Sequence, residues 1–244
     1  MQIDLHGKIA VVTGAAGELG RVISRTLAGC GADVAVHYNT KREGAKALAG
    51  EIRAMGRRAV VVSGDIASAD AVNAMRDAVV AGLGEAHIIV TNAVAQIQPW
   101  QTVLEESVAD YEAQFRSCVL QNVLMAKAFV PGMIKKRWGR VIGINTECSM
   151  ECFPTFSAYA AGKRGMDGVL RVLAREVGEH QITVNQIAPG WMISDRDRAT
   201  GTEIQPGYAK KVPLGRRGRI RISLTPWRFW LRIWRGLLRE RFCR

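Results

Sequence analysis

The sequence predicts an α/β fold, a single doubly wound parallel sheet with helices on both faces, and three observations predict it. Short β-branched runs alternate with segments whose apolar residues recur at helical spacing, and strands separated by helices pair in parallel. The strand runs are apolar on both faces, as suits a sheet covered from both sides. At 244 residues the chain can bury a substantial core as one large domain.

The elements follow in order. "KIAVVTG" (8–14) is a buried strand ending in glycine, and "GRVISRTLAGCG" (20–31) a helix with a glycine stop. "DVAVHY" (33–38), "RAVVVSGD" (58–65), "AHIIVTNA" (86–93), "GRVIGINT" (139–146) and "QITVNQIAPG" (181–190) are further strands. Helical spacing fills 41–55, 69–82, 107–136 and 157–178. In such a sheet ligands bind beyond the carboxyl ends of the strands, so the chemistry is expected in the loops that follow them.

Composition excludes several function classes. Hydrophobic residues make up 48% and charged residues 23%, ordinary for a soluble globular protein, and no apolar run approaches the roughly 20 residues that span a bilayer. The start, "MQIDLHGKIAVVTG", lacks the basic and apolar regions of a signal peptide. Cys30, Cys118, Cys148, Cys152 and Cys243 form no framework and no zinc spacing, so they read as reduced thiols of a cytoplasmic protein without a metal site. The net charge of +12 is concentrated: residues 219–244 hold eight arginines and one glutamate, a local +7 that leaves +5 for the rest. The charge therefore gives no general case for nucleic-acid binding.

The first strand runs into "TGAAGELGR" (13–21) and then a helix. Gly14 permits a tight turn, Gly17 lets backbone approach a phosphate, and Gly20 allows close helix–strand packing, while the helix N-terminus offers free N–H groups to a pyrophosphate. A plain tight turn is the alternative. An acid at the end of the second strand would bind the ribose 2′-OH of NAD; "HYNTKR" (37–42) has none, and Asn39, Thr40, Lys41 and Arg42 favour NADP(H) over NAD(H). Lys41 and Arg42 equally fit a solvated helix start. "SAYAAGK" (157–163) places Tyr159 and Lys163 at i, i+4 on one helix face, where an ammonium favours a phenolate and lowers the tyrosine pKa.

Taken together, "TGAAGELG" (13–20), "GD" ending in Asp65, "TNA" (91–93), "GRVIGINT" (139–146), "YAAGK" (159–163) and "VNQIAPG" (184–190) resemble the short-chain dehydrogenase/reductase family, near its 3-oxoacyl-reductase-like branch. The resemblance covers residues 1 to about 218. It implies a Rossmann-type domain, a small carbonyl or alcohol substrate, and a tetramer or dimer. By position it implies that Tyr159 is the acid/base and Lys163 its partner, holding the nicotinamide ribose. Gly14, Gly17, Glu18, Leu19 and Gly20 line the phosphates, Asn39 the adenosine ribose, and Asp65 and Ile66 the adenine. Asn92 and Ala93 line the cofactor, and Pro189 and Gly190 flank the nicotinamide.

Four positions depart from the family pattern. Glu18 stands at the usual middle glycine, where a carboxylate would repel a pyrophosphate unless it faces solvent. Val94 replaces a glycine. Thr146 takes the place of the substrate-positioning serine and keeps its hydroxyl, with Ser149 as runner-up. Cys118 takes the place of an asparagine that supports a water relay; the relay is expected to use the backbone carbonyl at 118, with Asn122 one turn later supplying part of the lost side chain. Trp100, Glu147, Phe153, Trp191 and Met192 follow strand ends and line either a fairly apolar pocket or an ordinary packed lid.

The ending "RISLTPWRFWLRIWRGLLRERFCR" admits three readings. Trp227, Trp230, Ile233, Trp234, Leu237 and Leu238 against Arg228, Arg232, Arg235 and Arg239 form a basic amphipathic helix of the kind that lies at a membrane interface or on a partner. A docked C-terminal helix would have to bury three tryptophans among the eight arginines of 219–244. The third reading is a shifted frame: back-translated from Arg219 and begun two bases later, the tail gives DQDIANAVAFL, ASDLA and FITGAF, the helix and strand with which members of the family continue. The expected division is therefore 1–218, a dinucleotide-binding domain, and 219–244, an out-of-frame segment. The competing function is a non-catalytic nucleotide-binding relative with a membrane- or partner-binding tail.

Overall fold

The computed structural model describes residues 3–95 and 99–219. Six parallel strands form one sheet in the order β3-β2-β1-β4-β5-β6, the order of a Rossmann-type doubly wound sheet. They are β1 (Ile9–Val12), β2 (Asp33–Tyr38), β3 (Ala59–Ser63), β4 (Ile88–Thr91), β5 (Gly139–Ile144) and β6 (Ile182–Ile187). The chain starts at the centre, pairs outward through Val11↔Ala35, then returns so that β4 pairs with the other side of β1 through Val11↔Ile89. The switch point between β1 and β4 opens a crevice at the carboxyl ends of both strands, directly above Thr13.

The helices cover both faces. α1 (Glu18–Gly29) and α2 (Arg42–Ala54) bury Ile23, Leu27, Leu48 and Ile52 against Ala10, Val12, Val34 and Val36. On the other face α3 (Ala69–Gly82), α5 (Gln121–Lys136) and α7 (Ser157–Val177) bury Met75, Val79, Met125, Met133, Met166 and Leu170 against Val11, Ile89 and Val141. Two cores, one on each side of a fully apolar sheet, are why the strands carry no polar alternation. Gly143 in β5 fits this packing, since a Cβ there would press on the Met166 methyl at 3.1 Å.

Three features differ from the sequence expectations. The expected helix 107–136 is α4 (Val108–Gln114) and α5 joined by one π-helical stretch, Phe115–Leu120. Its widened turn is held by Asn122, whose amide donates to the Cys118 carbonyl at 2.6 Å. Short helices α6 (Cys148–Glu151), α8 (Asp195–Thr200) and α9 (Pro206–Ala209) follow β5 and β6, where loops were expected. The span 108–136 is apolar and long enough to match a membrane helix by composition, yet 56% of its most apolar window is buried inside the fold, as a core helix should be. Among the described residues β6 is the outer strand, and an isolated parallel bridge joins Ile193 to Arg219 further along the chain. The expected amphipathic or frame-shifted tail falls, beyond Arg219, outside the described residues.

Candidate active site

The glycine-rich turn is built as close approach requires. Gly14 has φ +60, and a Cβ there would lie 3.1 Å from the Ala93 Cα and 3.2 Å from Asn92 Nδ2. At Gly20 a Cβ would sit 2.8 Å from the Ala15 Cα, so the turn and α1 could not close on each other with any larger residue. Gly17 caps α1 in an extended conformation with no side-chain cap, leaving the first N–H groups of a twelve-residue helix aimed into the crevice. These residues fit a dinucleotide pyrophosphate: an uncapped helix start and a cradle that side chains would fill.

The turn is fixed from three sides. The Gly14 N–H donates to Nδ1 of buried His37 at 3.1 Å, and the ring's Nε2 lies 2.9 Å from the Gly64 carbonyl. Burial holds the His37 pKa below its usual value, which keeps the Nδ1 acceptor free. Thr13 Oγ1 accepts from the N–H groups of Asn92 (2.9 Å) and Ala93 (3.1 Å) and donates to Gln121 Oε1 at 2.6 Å. Asn92 Nδ2 bridges the Thr13 and Gly14 carbonyls at 3.0 and 3.2 Å. Asn39 is exposed after β2, beside the exposed Thr40, Lys41 and Arg42, with no acid in this stretch. Ile66 is buried, and exposed Asp65 accepts from the Ala67 N–H at 2.9 Å.

Glu18 does not face the phosphate cradle unpartnered. Its carboxylate accepts the Asp195 N–H at 2.9 Å, at the start of α8, while Arg21 on the next turn of α1 pairs with the Asp195 side chain. The anticipated repulsion is answered by a partner rather than by solvent. Leu19 beside it packs on the first core.

The residues expected to do chemistry converge at the carboxyl ends of β4, β5 and β6. Tyr159 and Lys163 lie on the first turns of α7, with Nζ of Lys163 5.8 Å from the Tyr159 ring centre and 2.5 Å from the Ile144 carbonyl. The Thr146 hydroxyl lies close enough to the Tyr159 phenol to pull its pKa down. Ser149 is committed elsewhere: its hydroxyl donates to Asn145 Oδ1 (3.0 Å) and the Thr146 carbonyl (2.9 Å). Cys118 is fully buried, 3.5 Å from Gln114 Oε1, and close enough to affect both Tyr159 and Lys163 electrostatically.

One expectation is corrected. The Tyr159 phenol is pushed well above its usual pKa, by burial first and by Cys118 next, with Thr146 pulling the other way. Lys163 does not offset this. Burial lowers the lysine's own pKa, and its ammonium is directed at the Ile144 carbonyl. Tyr159 is thus held as a protonated phenol, a proton donor. Asn122 is also placed differently from expectation: Oδ1 accepts from Thr91 at 2.7 Å and Nδ2 binds the Cys118 carbonyl.

A lid closes the crevice. Pro189 accepts the Glu147 N–H at 3.1 Å, and a Cβ on Gly190 would lie 2.8 Å from Glu147 Oε2. Glu147 accepts from Tyr208 at 2.5 Å and from the Trp191 N–H at 3.2 Å, and burial with this neighbour raises the Tyr208 pKa to about 12. Buried Arg217 ties the lid together, donating to the carbonyls of Trp191, Met192, Thr202 and Glu203 at 2.8–3.2 Å and to the Asp197 carboxylate at 2.8 Å. Thr13, His37, Gln121 and Arg217 were not singled out from the sequence. Gln114, Cys118, Gln121 and Asn122 form a polar stripe at i, i+4, i+7 and i+8, a signal of one polar helix face under the site. Among the described residues no group of three His, Cys, Asp or Glu could hold a metal ion.

Comparison with known proteins agrees with this architecture. A profile of the short chain dehydrogenase family matches residues 8–205. The chain is 33% identical over 225 residues to the 3-oxoacyl-[acyl-carrier-protein] reductase FabG of Escherichia coli K12, covering 88% of this chain and 86% of that protein. It is 32% identical over 216 residues to the FabG of Pseudomonas aeruginosa, with the same coverage. A gluconate 5-dehydrogenase from Burkholderia cenocepacia, solved with NADP and tartrate, superposes with a TM-score of 0.84 at 27% identity over 93% of this chain and 89% of that one. The chain belongs to the short-chain dehydrogenase family and is an NAD(P)-dependent oxidoreductase acting between an alcohol and a carbonyl.

Proposed function

We propose that this chain is an NADP(H)-preferring reductase of ketones of the 3-oxoacyl type, with Tyr159 as the proton donor and acceptor. The observation that carries the reading is the convergence of Tyr159, Thr146 and Lys163 beyond β5, next to a glycine-rich turn whose second strand ends without an acid. Gly14, Gly17 and Gly20 with the α1 N-terminus would hold the pyrophosphate, and Asn39 with Lys41 and Arg42 would surround a ribose 2′-phosphate. Asn92, Ala93, Pro189, Gly190 and Lys163 would hold the nicotinamide half. When bound, the dinucleotide supplies the hydride.

The residues supply the rest. A carbonyl oxygen placed between Tyr159 and Thr146 accepts two hydrogen bonds, which strengthen as negative charge develops on it. Tyr159, protonated in this environment, gives its proton to that oxygen as the alcohol forms. The Thr146 hydroxyl orients the oxygen and stays in place. In the oxidation direction the same phenol oxygen must take the proton back. The FabG relatives carry the name 3-oxoacyl-[acyl-carrier-protein] reductase, and the gluconate dehydrogenase was solved with NADP; both support this substrate class and cofactor.

The test is NADPH and NADH consumption with a panel of 3-oxoacyl thioesters and simple ketones, beside Tyr159→Phe. Turnover that is faster with NADPH and lost in the variant supports the proposal. Dinucleotide binding without turnover of any substrate would favour a non-catalytic relative instead.

A further inference from the structure

The wall that abuts the catalytic tyrosine is aromatic. Trp100 stacks on Phe156 with ring centres 4.5 Å apart and planes at 27°, and lies 5.9 Å from the Tyr159 ring. Phe156 in turn meets Phe153 edge-on at 6.4 Å. All three added rings are only half-buried and belong to neither core, so part of each ring is exposed beside Tyr159.

The backbone that presents this wall is strained. Between α6 and α7 the turn holds Cys152 at φ +51 and Thr155 at φ +68. A β-branched residue in the left-handed region costs on the order of 1–3 kcal/mol, and such strain persists only where surrounding structure enforces it. The two residues bracket Phe153 and Pro154, and Phe156 follows as the N-cap of α7, one turn before Tyr159. The strained turn therefore sets two rings of the wall relative to the proton donor.

Other parts of the pocket are already committed. The Glu147 carboxylate is occupied by Tyr208 and the Trp191 N–H, and Arg217 lies over the Trp191 ring at 4.5 Å. What the Trp100 side offers a substrate is mainly flat π surface, with the indole N–H at its edge. A flexible alkyl chain gains only area from such a wall. An aromatic ring also gains offset or edge-to-face stacking, together with low ordering cost, because it is already planar and rigid.

We infer that the site selects ketones bearing an aryl or comparably planar group next to the carbonyl, with that group against Trp100 and Phe156 while the oxygen meets Tyr159 and Thr146. This rests on the oxidoreductase reading above and names the substrate class within it.

The experiment compares shape-matched pairs: 3-oxo-3-phenylpropanoyl thioester with its 3-cyclohexyl counterpart, and acetophenone with cyclohexyl methyl ketone. For each pair the ratio of kcat/KM, aryl over cyclohexyl, is measured in the wild type, Trp100→Leu and Trp100→Phe. Dividing the wild-type ratio by the variant ratio removes the intrinsic reactivity difference of the two ketones. The expected result is a fall in the ratio of about 3–10-fold in Trp100→Leu, with most of it retained in Trp100→Phe. Phe156→Leu serves as a second variant should Trp100→Leu fail to fold. A ratio unchanged by loss of either ring overturns the inference while leaving the oxidoreductase reading intact. Absence of turnover on every ketone overturns both.

Discussion

The backbone N–H of Asp195 donates to the Glu18 carboxylate at 2.9 Å across 177 residues of sequence. Glu18 opens the helix that follows the glycine-rich turn, and Asp195 opens the helix of the lid, so one side chain ties the two halves of the crevice together. Arg21 pairs with the same Asp195, which also receives Arg198 at 2.8 Å. The residue that departs most from the family's glycine-rich pattern thus has a structural occupation, one that a glycine could not fill.

This contact is exposed, so its effect is expected to be local. Exposed pairs contribute about 0.2–1 kcal/mol, and Glu18→Ala should leave global stability nearly unchanged. The amides of Asp195–Thr200 should instead exchange several-fold faster with deuterium. Hydrogen exchange by mass spectrometry on the two proteins reads this directly. Equal protection of 195–200 in both would show that the remaining contacts, Arg217 and Arg21 among them, hold the lid without Glu18.

Thr146 and Ser149 separate chemistry from packing. Thr146→Val keeps the shape and removes the hydroxyl that meets Tyr159, and kcat/KM is expected to fall by about 10²–10³-fold, as for loss of one donor to a developing oxyanion. Thr146→Ser should recover most of that loss. Ser149→Ala removes a buried hydroxyl whose one proton is shared between Asn145 Oδ1 and the Thr146 carbonyl, so it should cost about 1–3 kcal/mol of stability with little change in kcat. The opposite pattern, with the rate lost in Ser149→Ala and kept in Thr146→Val, would transfer the positioning role to Ser149.

Much of this was legible in the sequence because the signals are local. Strands β2 and β5 are apolar runs bounded by turn residues, and α2 and α3 show clean periodicity with Ser68 as an N-cap, so their ends fall within a residue or two of expectation. Tyr159 and Lys163 were placed on one helix face by i, i+4 spacing, and the accompanying motifs of the family gave them their roles. What stayed hidden depends on contacts between distant segments. The π-helical turn at Phe115–Leu120 arises from Asn122 reaching back to Cys118 while also holding Thr91, and nothing in the local pattern of 107–136 announces it. His37 looks like one more strand residue until Gly14 and Gly64, 23 and 27 residues away, are seen on its two nitrogens. The direction of the Tyr159 pKa could not be read from the neighbouring lysine, because burial is a property of the assembled site.

The reading frame of the ending is open to direct test. Re-reading from Arg219 in the shifted frame yields a helix and a strand that members of the family carry, and residues 220–244 lie outside the described structure. The nucleotide sequence around codon 218 is expected to show a lost base or a two-base insertion. Restoring the frame should raise soluble yield, since β6, the outer strand among the described residues, would gain a neighbour. Close relatives that share the Trp- and Arg-rich ending in an intact gene would end this explanation.

Two buried or half-buried histidines predict a loss of stability on mild acidification. At His87 the ring's Nδ1 accepts the Ile9 N–H at 3.2 Å, and burial, with Lys136 and Lys8 nearby, lowers the pKa from 6.5 to about 4. At His37 burial likewise lowers the pKa, against smaller opposing contributions from the Gly64 carbonyl and Asp65. Below pH 6.5 the unfolded chain takes up protons that the folded chain refuses, so folding becomes less favourable with each step down. The stability due to these rings is fully present above pH 6.5 and is lost as pH falls from 6.5 toward about 4. Urea midpoints measured across that range should fall in the wild type and fall less steeply in His87→Asn. Because the Gly14 N–H needs the neutral His37 ring, dinucleotide affinity should weaken over the acid side of the same range, and His37→Asn should flatten that dependence. A urea midpoint that stays constant between pH 7 and 5 would show that neither ring resists protonation in the folded protein.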